Sequence, residues 1–328
     1  MIASIAFQNF KALRNTRVAL APFNLVIGPN GSGKTSLIEA VMRLKTLSKL
    51  PLAEGPASSQ KAGGPEIEFG FDPPHDGITA RLSCVSDTVC DTLRITPEAA
   101  PGWPALRTEL AGLRSYTLRP EAMAGAARRE DGARLSSSGH NLAAVLAQLR
   151  ETAPEAFAGM TAELLRIVPE FAALELAEEG GQASFSLRLA EGGEVPADEL
   201  SQGTLCLVAV LALACDPAPP RVLCIEEIDR GFHPRTLREV RDALYRLSHP
   251  RSFGLERAPT QIITTTHSPY FIDLFRDHPD EVIISQKQGR AAQFSRLSDR
   301  SDLGTLLGEG SLGDMWFSGI LGGVPEER

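Results

Sequence analysis

The sequence lacks several features that would place a protein in a class at once. No apolar run is long enough to span a bilayer, and the longest extends only from Leu205 to Cys215. The start of the chain has no basic region followed by an apolar stretch, so it predicts no signal peptide. The five cysteines show no CxxC spacing, which argues against a zinc site. Three of them lie in apolar runs, a usage that fits a reducing compartment. We therefore expect a cytoplasmic protein that does not enter the membrane.

An excess of positive charge is also missing. The 328 residues carry a formal net charge of −8, whereas domains whose whole surface grips nucleic acid are usually basic. The stretch from Arg107 to Arg150 is locally basic. It fits either a solvated face or a surface for nucleic acid or a partner. A hydrophobic content of 43% with 23% charged residues is ordinary for a globular protein and excludes disordered and collagen-like chains.

Strand and helix signals alternate along the chain, which predicts an α/β fold with a largely parallel central sheet. Residues 66–95 alternate like β structure, and residues 51–65 form a loop rich in Pro, Gly, Ser and Ala. The predicted strands are Ile2 to Phe7, Phe23 to Ile27, Val222 to Ile225, Gln261 to Thr266 and Glu281 to Ser285. The predicted helices are Lys34 to Ser48, Asn141 (as N-cap) to Val168, the buried Thr204 to Cys215, and one that opens at Pro234.

The strongest motif is Gly28-Pro29-Asn30-Gly31-Ser32-Gly33-Lys34-Thr35, a full GxxxxGK[ST] match between a predicted strand and a predicted helix. Its glycines let backbone N–H groups wrap a phosphate, and the helix N-terminus adds positive potential. Lys34 is expected to reach the β- and γ-phosphates of a nucleotide and Thr35 to hold Mg²⁺. The other predicted nucleotide contacts are Gly28, Asn30, Gly31, Ser32 and Gly33 in this segment, and Ser36 directly after it.

Two carboxylates follow the predicted strand Val222 to Ile225. Glu226 and Glu227 stand where the carboxyl edge of a parallel sheet faces its ligand. One such carboxylate can bind Mg²⁺, and the other can orient or deprotonate the attacking water, a role worth roughly 10²–10⁴ in rate. We assign Glu226 to the metal and Glu227 to the water.

Three further segments carry a resemblance to a known group. Leu200-Ser201-Gln202-Gly203-Thr204 resembles the LSGGQ-type signature of ABC ATPases, and Thr266-His267-Ser268-Pro269 resembles their switch-histidine segment. Phe7-Gln8-Asn9-Phe10-Lys11 is similar to the start of SMC and RecF-type heads, where this segment borders the nucleotide, which implies a contact from Lys11. The chain thus resembles the armless bacterial members of the SMC, RecF and OLD-like ABC-type ATPases.

The resemblance implies the fold of a P-loop NTPase of the ABC head type, with an antiparallel β lobe and an inserted helical subdomain. We expect a single domain over residues 1–328. Its core lobe would come from residues 1–50 and 195–300, its inserted β and helical lobe from 51–194, and its tail from 301–328.

The resemblance also implies a mechanism that uses ATP and Mg²⁺. Two copies would sandwich two ATP molecules, each nucleotide lying between Lys34 of one copy and the Ser201 and Gly203 of the other. Hydrolysis would use Glu227, His267 and Lys34 as catalytic residues and would then release the dimer. Mg²⁺ would be held by Thr35 and Glu226.

The sequence departs from the ABC pattern at four places. Glu226 stands where most ABC proteins have Asp, and His233 occupies the position of the usual D-loop aspartate. Thr204 replaces the usual Glu or Gln after the signature glycine. No glutamine stands out as a Q-loop residue, Gln60 being a weak candidate. These departures bear on turnover more than on ATP binding.

Three functions remain open at this stage. The first is an ATPase that acts on or near DNA in repair, recombination or defence against foreign DNA. The second is an ATP-gated switch that controls a separate effector such as a nuclease. The third is the nucleotide-binding subunit of a transporter. The Phe7 to Lys11 segment, His233-Pro234 and Thr266 to Pro269 favour the first two, and we prefer the first. The expected partners are a second copy in the presence of ATP, DNA and a separate effector protein, without a membrane.

Overall fold

The structure is a computed structural model that describes residues 1–52, 64–130, 132–289 and 291–322. The chain divides into two compact units. Unit 1 comprises Met1–Ser115, Pro220–Cys224 and Pro259–Arg328, and unit 2 comprises Tyr116–Pro219 and Ile225–Ala258. Most of the predicted loop at 51–65, and with it Gln60, lies outside the described residues. The predicted lobe boundaries stay a prediction.

The strands are β1 Ile2–Phe10, β2 Leu13–Ala19, β3 Phe23–Ile27, β4 Glu66–Phe71, β5 Thr79–Cys84, β6 Cys90–Thr96, β7 Arg114–Tyr116, β8 Ala127–Arg128, β9 Phe171–Glu179, β10 Gln182–Leu189, β11 Glu194–Pro196, β12 Val222–Ile225, β13 Gln261–Thr265, β14 Val282–Gln288 and β15 Ala291–Arg296. The α-helices are α1 Lys34–Ser48, α2 Trp103–Ala111, α3 Pro120–Met123, α4 Leu142–Thr152, α5 Pro154–Ile167, α6 Gln202–Ala214, α7 Leu237–Ser248, α8 Pro269–Asp273, α9 Leu303–Glu309 and α10 Leu312–Phe317. The 3-10 helices are Ala197–Glu199, Pro234–Thr236, Pro250–Phe253, Pro279–Glu281 and Leu297–Asp299.

Unit 1 is built around a sheet with the strand order β6-β5-β4-β1-β2-β15-β14-β3-β13-β12-β7. Strand β3, in the interior of this sheet, runs parallel to both neighbours, so that Leu25 lies opposite Thr264 of β13 and Val282 of β14. Every residue of β3 is buried, as expected for a parallel strand covered on both faces. Both the parallel arrangement and the bounds Phe23–Ile27 agree with the sequence expectation.

The other half of this sheet is antiparallel. β1 pairs with β2 and β4, and β4, β5 and β6 follow as a meander. In β4 the side chains of Ile67 and Phe69 are buried, whereas Glu66 and Glu68 are partly exposed. This alternation is that of a sheet with one face on a core. The predicted antiparallel β portion therefore continues the parallel sheet.

Unit 2 combines helices with a small antiparallel sheet in which β10 pairs with β8, β9 and β11. Helix α6 is buried from Thr204 to Ala214 and contacts α5 and α7, which confirms the predicted apolar helix. The helix expected from Asn141 to Val168 is in fact two helices that meet at Ala153. Pro154 explains the break, because a residue before proline is driven out of the helical region.

Asn141 is the N-cap of α4 by position but does not cap it with its side chain. Its Oδ1 instead accepts from the backbone N of Ser136 at 2.8 Å, and its Nδ2 donates to the carbonyl of Arg134 at 2.9 Å. The side chain therefore organises the preceding loop. In the described part of the chain, no helix combines the length and apolarity needed to cross a membrane.

The cysteines divide into two groups. Cys84 and Cys90 are register partners on β5 and β6 and form a disulfide. No disulfide prediction was possible from the sequence, since the pairing depends on the register of these two strands. Cys206, Cys215 and Cys224 are free thiols, and two of them are fully buried, as expected for cysteines in apolar runs.

Within unit 1, the C-terminal segment packs through α10 against α8. The backbone N of Gly313 donates to Oδ1 of Asp273 at 2.7 Å. A Cβ atom on Gly313 would lie 2.5 Å from the carbonyl oxygen of Pro269. Met315 and Trp316 are buried, whereas Phe317 is 80% exposed. Close helix approach at a glycine thus anchors this segment.

We predict that Gly313→Ala lowers the free energy of unfolding by about 1–3 kcal/mol, the usual cost of overpacking. The matched control is Gly308→Ala in α9, where an added Cβ would meet no atom within 4 Å. That change should raise stability by roughly 0.5–1 kcal/mol, because alanine is the better helix former. Urea unfolding followed by circular dichroism measures both. Equal stability of the two variants would contradict the packing described for α10.

Candidate functional site

The loop between β3 and α1 has the geometry of a phosphate cradle. The chain leaves the buried strand at Ile27, and α1 begins at Lys34. Gly31 and Gly33 have φ angles of +73° and +102°, a left-handed region that favours glycine. Gly33 is the N-cap of α1. Because glycine has no side chain, it makes no capping hydrogen bond to the first N–H groups of the helix. The first N–H groups of a helix lack intrahelical partners, and they form a ready anion site.

Gly28 fixes the start of the loop against strand β14. A Cβ atom on Gly28 would lie 2.4 Å from the carbonyl oxygen of Ser285 and 2.6 Å from Oγ of Ser32. The Ser285 hydroxyl in turn donates to the carbonyl of Ser32 at 2.5 Å. Sequence reasoning missed Ser285, which follows the apolar run Val282 to Ile284. Only the pairing of β14 with β3 places it beside the loop.

Ser32 contributes an observation that points to a ligand. Its side chain is fully buried, and its Oγ has no hydrogen-bond partner among the residues that the structure describes. A buried hydroxyl without a partner costs free energy, and a nucleotide phosphate in the cradle would supply an acceptor. The loop residues therefore fit the group that the motif predicts.

Lys34 is held inside the loop. Its side chain is 8% exposed, and its Nζ donates to the carbonyls of Gly28 at 2.6 Å and Pro29 at 3.0 Å. These contacts curl the ammonium group back over the loop, where a bound phosphate would meet it. Thr35, by contrast, is an exposed residue, and its contact with Mg²⁺ stays a prediction.

The remaining loop residues differ in exposure. Asn30 and Gly31 are exposed, and Ser36 is partly exposed. These positions leave the three residues accessible to a nucleotide, as the sequence analysis expects. Their roles stay predictions.

Lys11 lies at the end of β1 with a left-handed φ of +54°. Its ammonium group forms an ion pair with Glu39 of α1, and its backbone N donates to Oδ1 of Asp87 at 3.2 Å. The side chain is 28% exposed. The structure therefore ties Lys11 to the helix that begins at the cradle, and its predicted nucleotide contact would require this ion pair to be shared or exchanged.

His267 follows β13, which is the other parallel neighbour of β3. The imidazole is exposed. Ser268, the next residue, caps α8 by accepting from the backbone N of Phe271, and its own N–H donates to Thr266 Oγ1. The histidine thus projects from a loop that is fixed on both sides.

In unit 2, Glu226 and Glu227 follow directly after β12. The backbone N of Glu226 donates to the carbonyl of Tyr116 at 2.9 Å. Glu227 is exposed and has a φ of +50°, which costs a non-glycine residue on the order of 1–3 kcal/mol. Its carboxylate lies 3.7 Å from the guanidinium of Arg230. Backbone strain of this kind is more common at functional positions, and among the two glutamates after β12 it is found at Glu227.

Ser201 and Thr204 form the start of α6. Ser201 is the N-cap, and its Oγ accepts from the backbone N of Thr204 at 3.1 Å. The two hydroxyl oxygens lie 2.8 Å apart. Thr204 is buried, whereas Ser201 is exposed. Thr204, which departs from the ABC pattern, therefore contacts Ser201 from within the first turn of the same helix.

Gly203 packs against a second glycine that the sequence analysis missed. A Cβ atom on Gly203 would lie 2.7 Å from the carbonyl oxygen of Gly231. Gly231 itself has a φ of +82°, a left-handed conformation that favours glycine. The start of α6 is therefore in backbone contact with the loop that leads to His233.

His233 caps the short helix Pro234–Thr236, since its Nδ1 accepts from the backbone N of Arg235 at 3.2 Å. Acceptance at Nδ1 places the proton of the neutral ring on Nε2. His233 thus caps this helix, as an aspartate at the same position could, but it caps with a ring nitrogen in place of a carboxylate oxygen.

Cys206 lies near Arg230 of the loop that leads to His233. Burial raises the pKa of its thiol to about 11, so the thiol stays protonated at neutral pH.

Comparison with known proteins gives a family for most of the chain. Residues 23–273 match the family described as "AAA domain, putative AbiEii toxin, Type IV TA system". Short matches are found to the DNA replication and repair protein RecF of Erwinia tasmaniensis and of Vibrio vulnificus, each 46% identical over 44 residues. These matches span 13% of this chain and 12% of the length of the curated relatives.

Solved structures give the same fold at low sequence identity. The SMC head domain of Thermotoga maritima is 16% identical with a TM-score of 0.52, and the match covers 90% of this chain and 98% of that one. An SMC head bound to the C-terminal winged-helix domain of ScpA is 14% identical with a TM-score of 0.58, covering 90% and 96%. A Pyrococcus furiosus SMC head with an extended coiled coil, also bound to a ScpA domain, is 12% identical with a TM-score of 0.54, covering 94% and 98%. The fold class expected from the sequence is thereby confirmed.

We predict that Lys34→Ala removes measurable ATP binding. Hydrogen bonds to a charged group are worth about 1.5–3 kcal/mol each, so the affinity should fall by about two orders of magnitude or more. The control is Lys287→Ala, which removes an exposed lysine of the same unit and should leave the affinity unchanged. Titration with a fluorescent ATP analogue measures both proteins. An unaltered affinity in Lys34→Ala would show that the cradle lies elsewhere.

Proposed function

This chain belongs to the family of AAA domains just described and has the head fold of the SMC and RecF-like ATPases, and we propose that it hydrolyses ATP as a dimer formed around two ATP molecules. We further propose that this cycle serves DNA repair, recombination or defence against foreign DNA. The observation that carries the proposal is the cradle itself, a loop before the N-terminus of α1 that holds the buried Lys34 side chain on two of its carbonyls and buries the Ser32 hydroxyl without a partner among the described residues. The matches to RecF, described as a DNA replication and repair protein, support the second part.

The reaction that fits these residues is attack of a water molecule on the γ-phosphorus atom of ATP. The bond from this phosphorus to the β,γ-bridging oxygen breaks, and ADP and phosphate leave. Lys34 would stabilise negative charge on the β- and γ-phosphates during this step. Glu227 would orient the water and accept its proton. His267 would hydrogen-bond the γ-phosphate, as its exposed position after β13 allows.

Mg²⁺ is the metal that this family of sites implies. Thr35, an exposed residue, would hold it through its hydroxyl, and the sequence motif assigns Glu226 as a further ligand. Oxygen donors of this kind suit Mg²⁺. When bound, the ion would neutralise charge on the β- and γ-phosphates.

The dimer is supported by the exposure of the signature segment. Ser201 and Gln202 are exposed at the start of α6, although the helix that follows is buried. The Ser201 hydroxyl and the backbone of Gly203 would contact the γ-phosphate held by the other copy. The site would then be complete only when two copies meet, which makes dimerisation depend on ATP.

We predict that Glu227→Gln binds ATP, accumulates as a dimer and turns over roughly 10²–10⁴ times more slowly. Size-exclusion chromatography with light scattering, run with ATP and Mg²⁺, measures the dimer, and a phosphate-release assay measures turnover. Glu191→Gln removes an exposed carboxylate in the turn after β10 and should behave like the unaltered protein. Normal turnover in Glu227→Gln would assign the base to another residue.

We also predict that Ser201→Arg leaves ATP binding intact and abolishes the ATP-dependent dimer. The long cation would occupy the space that the second copy's phosphate needs. Ser201→Thr keeps the hydroxyl and the helix cap, so it should retain the dimer and separates this effect from loss of capping. Light scattering with and without ATP tests both variants. An intact dimer in Ser201→Arg would remove Ser201 from the proposed interface.

A further inference from the structure

Four cations come together at the C-terminal end of α1 in unit 1, although the protein as a whole carries a formal net charge of −8. Lys45 lies in the last turn of α1, and Lys49 directly follows the helix. Arg107 lies on α2 and Arg114 on β7. Nη2 of Arg107 donates to the backbone carbonyl of Lys49 at 2.8 Å. We refer to Lys45, Lys49, Arg107 and Arg114 as the α1-end cluster.

The cluster stands on a rigid support. Helices α1 and α2 pack against each other, and Leu47 and Leu106 are buried in the core of unit 1. Nη1 of Arg114 donates to the carbonyls of Ala111 at 3.2 Å and Leu113 at 2.9 Å. The backbone therefore fixes the two guanidinium groups, and ordering them for a ligand costs little additional entropy.

The cluster is not neutralised by neighbouring acids. Over residues 1–52, 64–130, 132–289 and 291–322, no ion pair joins any of its four members to a carboxylate. Glu109, the acid of α2, contacts Arg221 at 3.6 Å and His75 at 3.5 Å instead. Glu39 of α1 is paired with Lys11 and Arg43. Surface cations usually mix with acids, so an unpaired group of four marks a place where an anion is favoured.

Lys45 reports how closely the positive charges approach one another. Burial, followed by the positive charges of Arg114 and Lys49, together lower the pKa of its ammonium group to about 8. A nearby anion reverses this effect because it stabilises the charged form. The charged groups on the elements packed against α1 and on β7 are Arg107 and Glu109 on α2, Asp91 and Arg94 on β6, and Arg114 on β7.

We propose that the α1-end cluster binds the phosphate backbone of double-stranded DNA. The inference rests on the proposed function for the choice of DNA as partner. Duplex DNA presents one negative charge per roughly 1.7 Å of its axis, so it can engage several fixed cations at once. Single-stranded nucleic acid is usually held by exposed aromatic side chains, whereas Trp103, the aromatic residue of α2, is buried. The backbone of a duplex, contacted without base reading, is the ligand that suits such a surface.

The test uses the full chain with ATP and a fluorescent 30-base-pair duplex, whose binding is followed by anisotropy. Lys45→Glu/Lys49→Glu reverses two charges whose side chains make no hydrogen bond in the described structure, and it leaves the backbone contacts of Arg107 and Arg114 intact. We expect the affinity to fall about tenfold or more and the slope of log K against log salt to drop by about 2. The control Arg238→Glu/Arg251→Glu makes an equal change of charge at exposed arginines of unit 2.

A pH series makes the assignment specific to Lys45. In the protein without DNA, Lys45 loses its proton near pH 8. In the complex with DNA, Lys45 keeps its proton to a higher pH, because the phosphates stabilise the charged form. DNA affinity should therefore fall as the pH rises from 7 to 9, by up to about tenfold for a group whose free pKa is about 8. Lys45→Arg stays charged over this range and should remove that part of the pH dependence. A pH profile unchanged by Lys45→Arg would overturn the role of this residue.

The outcomes separate this surface from the proposed function. Equal DNA affinity in the charge-reversed and unaltered proteins, with the dimer and turnover intact, would overturn the α1-end cluster and leave the proposed function standing. An equal loss in the Arg238 and Arg251 control would do the same, since total charge would then be the cause. Loss of binding to single-stranded RNA or to an acidic protein, but not to the duplex, would overturn the choice of partner. If the unaltered protein binds no duplex at any salt concentration, the DNA role itself fails.

Discussion

A buried ammonium group next to a helix N-terminus is the constraint on which the rest of the site depends. Lys34 is 8% exposed and donates to two carbonyls of its own loop. Burying a charge is costly unless partners compensate it, and these two carbonyl dipoles contribute to that compensation. The phosphates of a bound nucleotide would contribute further, so the loop is suited to an anion. The packing of Gly28 on Ser285 then follows as a requirement, because the loop must hold its shape when the anion is absent.

The features that could be predicted from the sequence are those that depend on residues close together along the chain. The bounds of β3 and α1, the buried helix α6 and the order of the motifs all follow from local periodicity and from glycines at fixed spacing. Ser285 was not predictable in this way. It contacts Ser32 across 253 residues, and no local pattern distinguishes it from any serine after an apolar run. Only the register of β14 on β3 brings the two together.

The same division applies to the signature segment. Its resemblance to the ABC pattern is local, but the reason for its glycine is not, since Gly203 lies against the backbone of Gly231. Judged from the sequence, Thr204 is a departure from the Glu or Gln that usually follows the signature glycine. In the structure its hydroxyl supports Ser201 within the same helix turn. A buried threonine can do this because it stays close to the backbone, whereas a longer acid at that buried position would need a partner for its charge.

The basic stretch between Arg107 and Arg150 shows why net charge is a poor guide to local binding. Towards its end, Arg129 is paired with Glu151 and Glu178, and Arg150 shares Glu178, so these cations are already satisfied by their own surroundings. At its start, Arg107 and Arg114 contact only carbonyls among the hydrogen bonds of the described chain. Screening confines the influence of exposed charges to about 8 Å at physiological ionic strength. An acidic protein can therefore present a local site for an anion wherever its cations outnumber the acids within that distance.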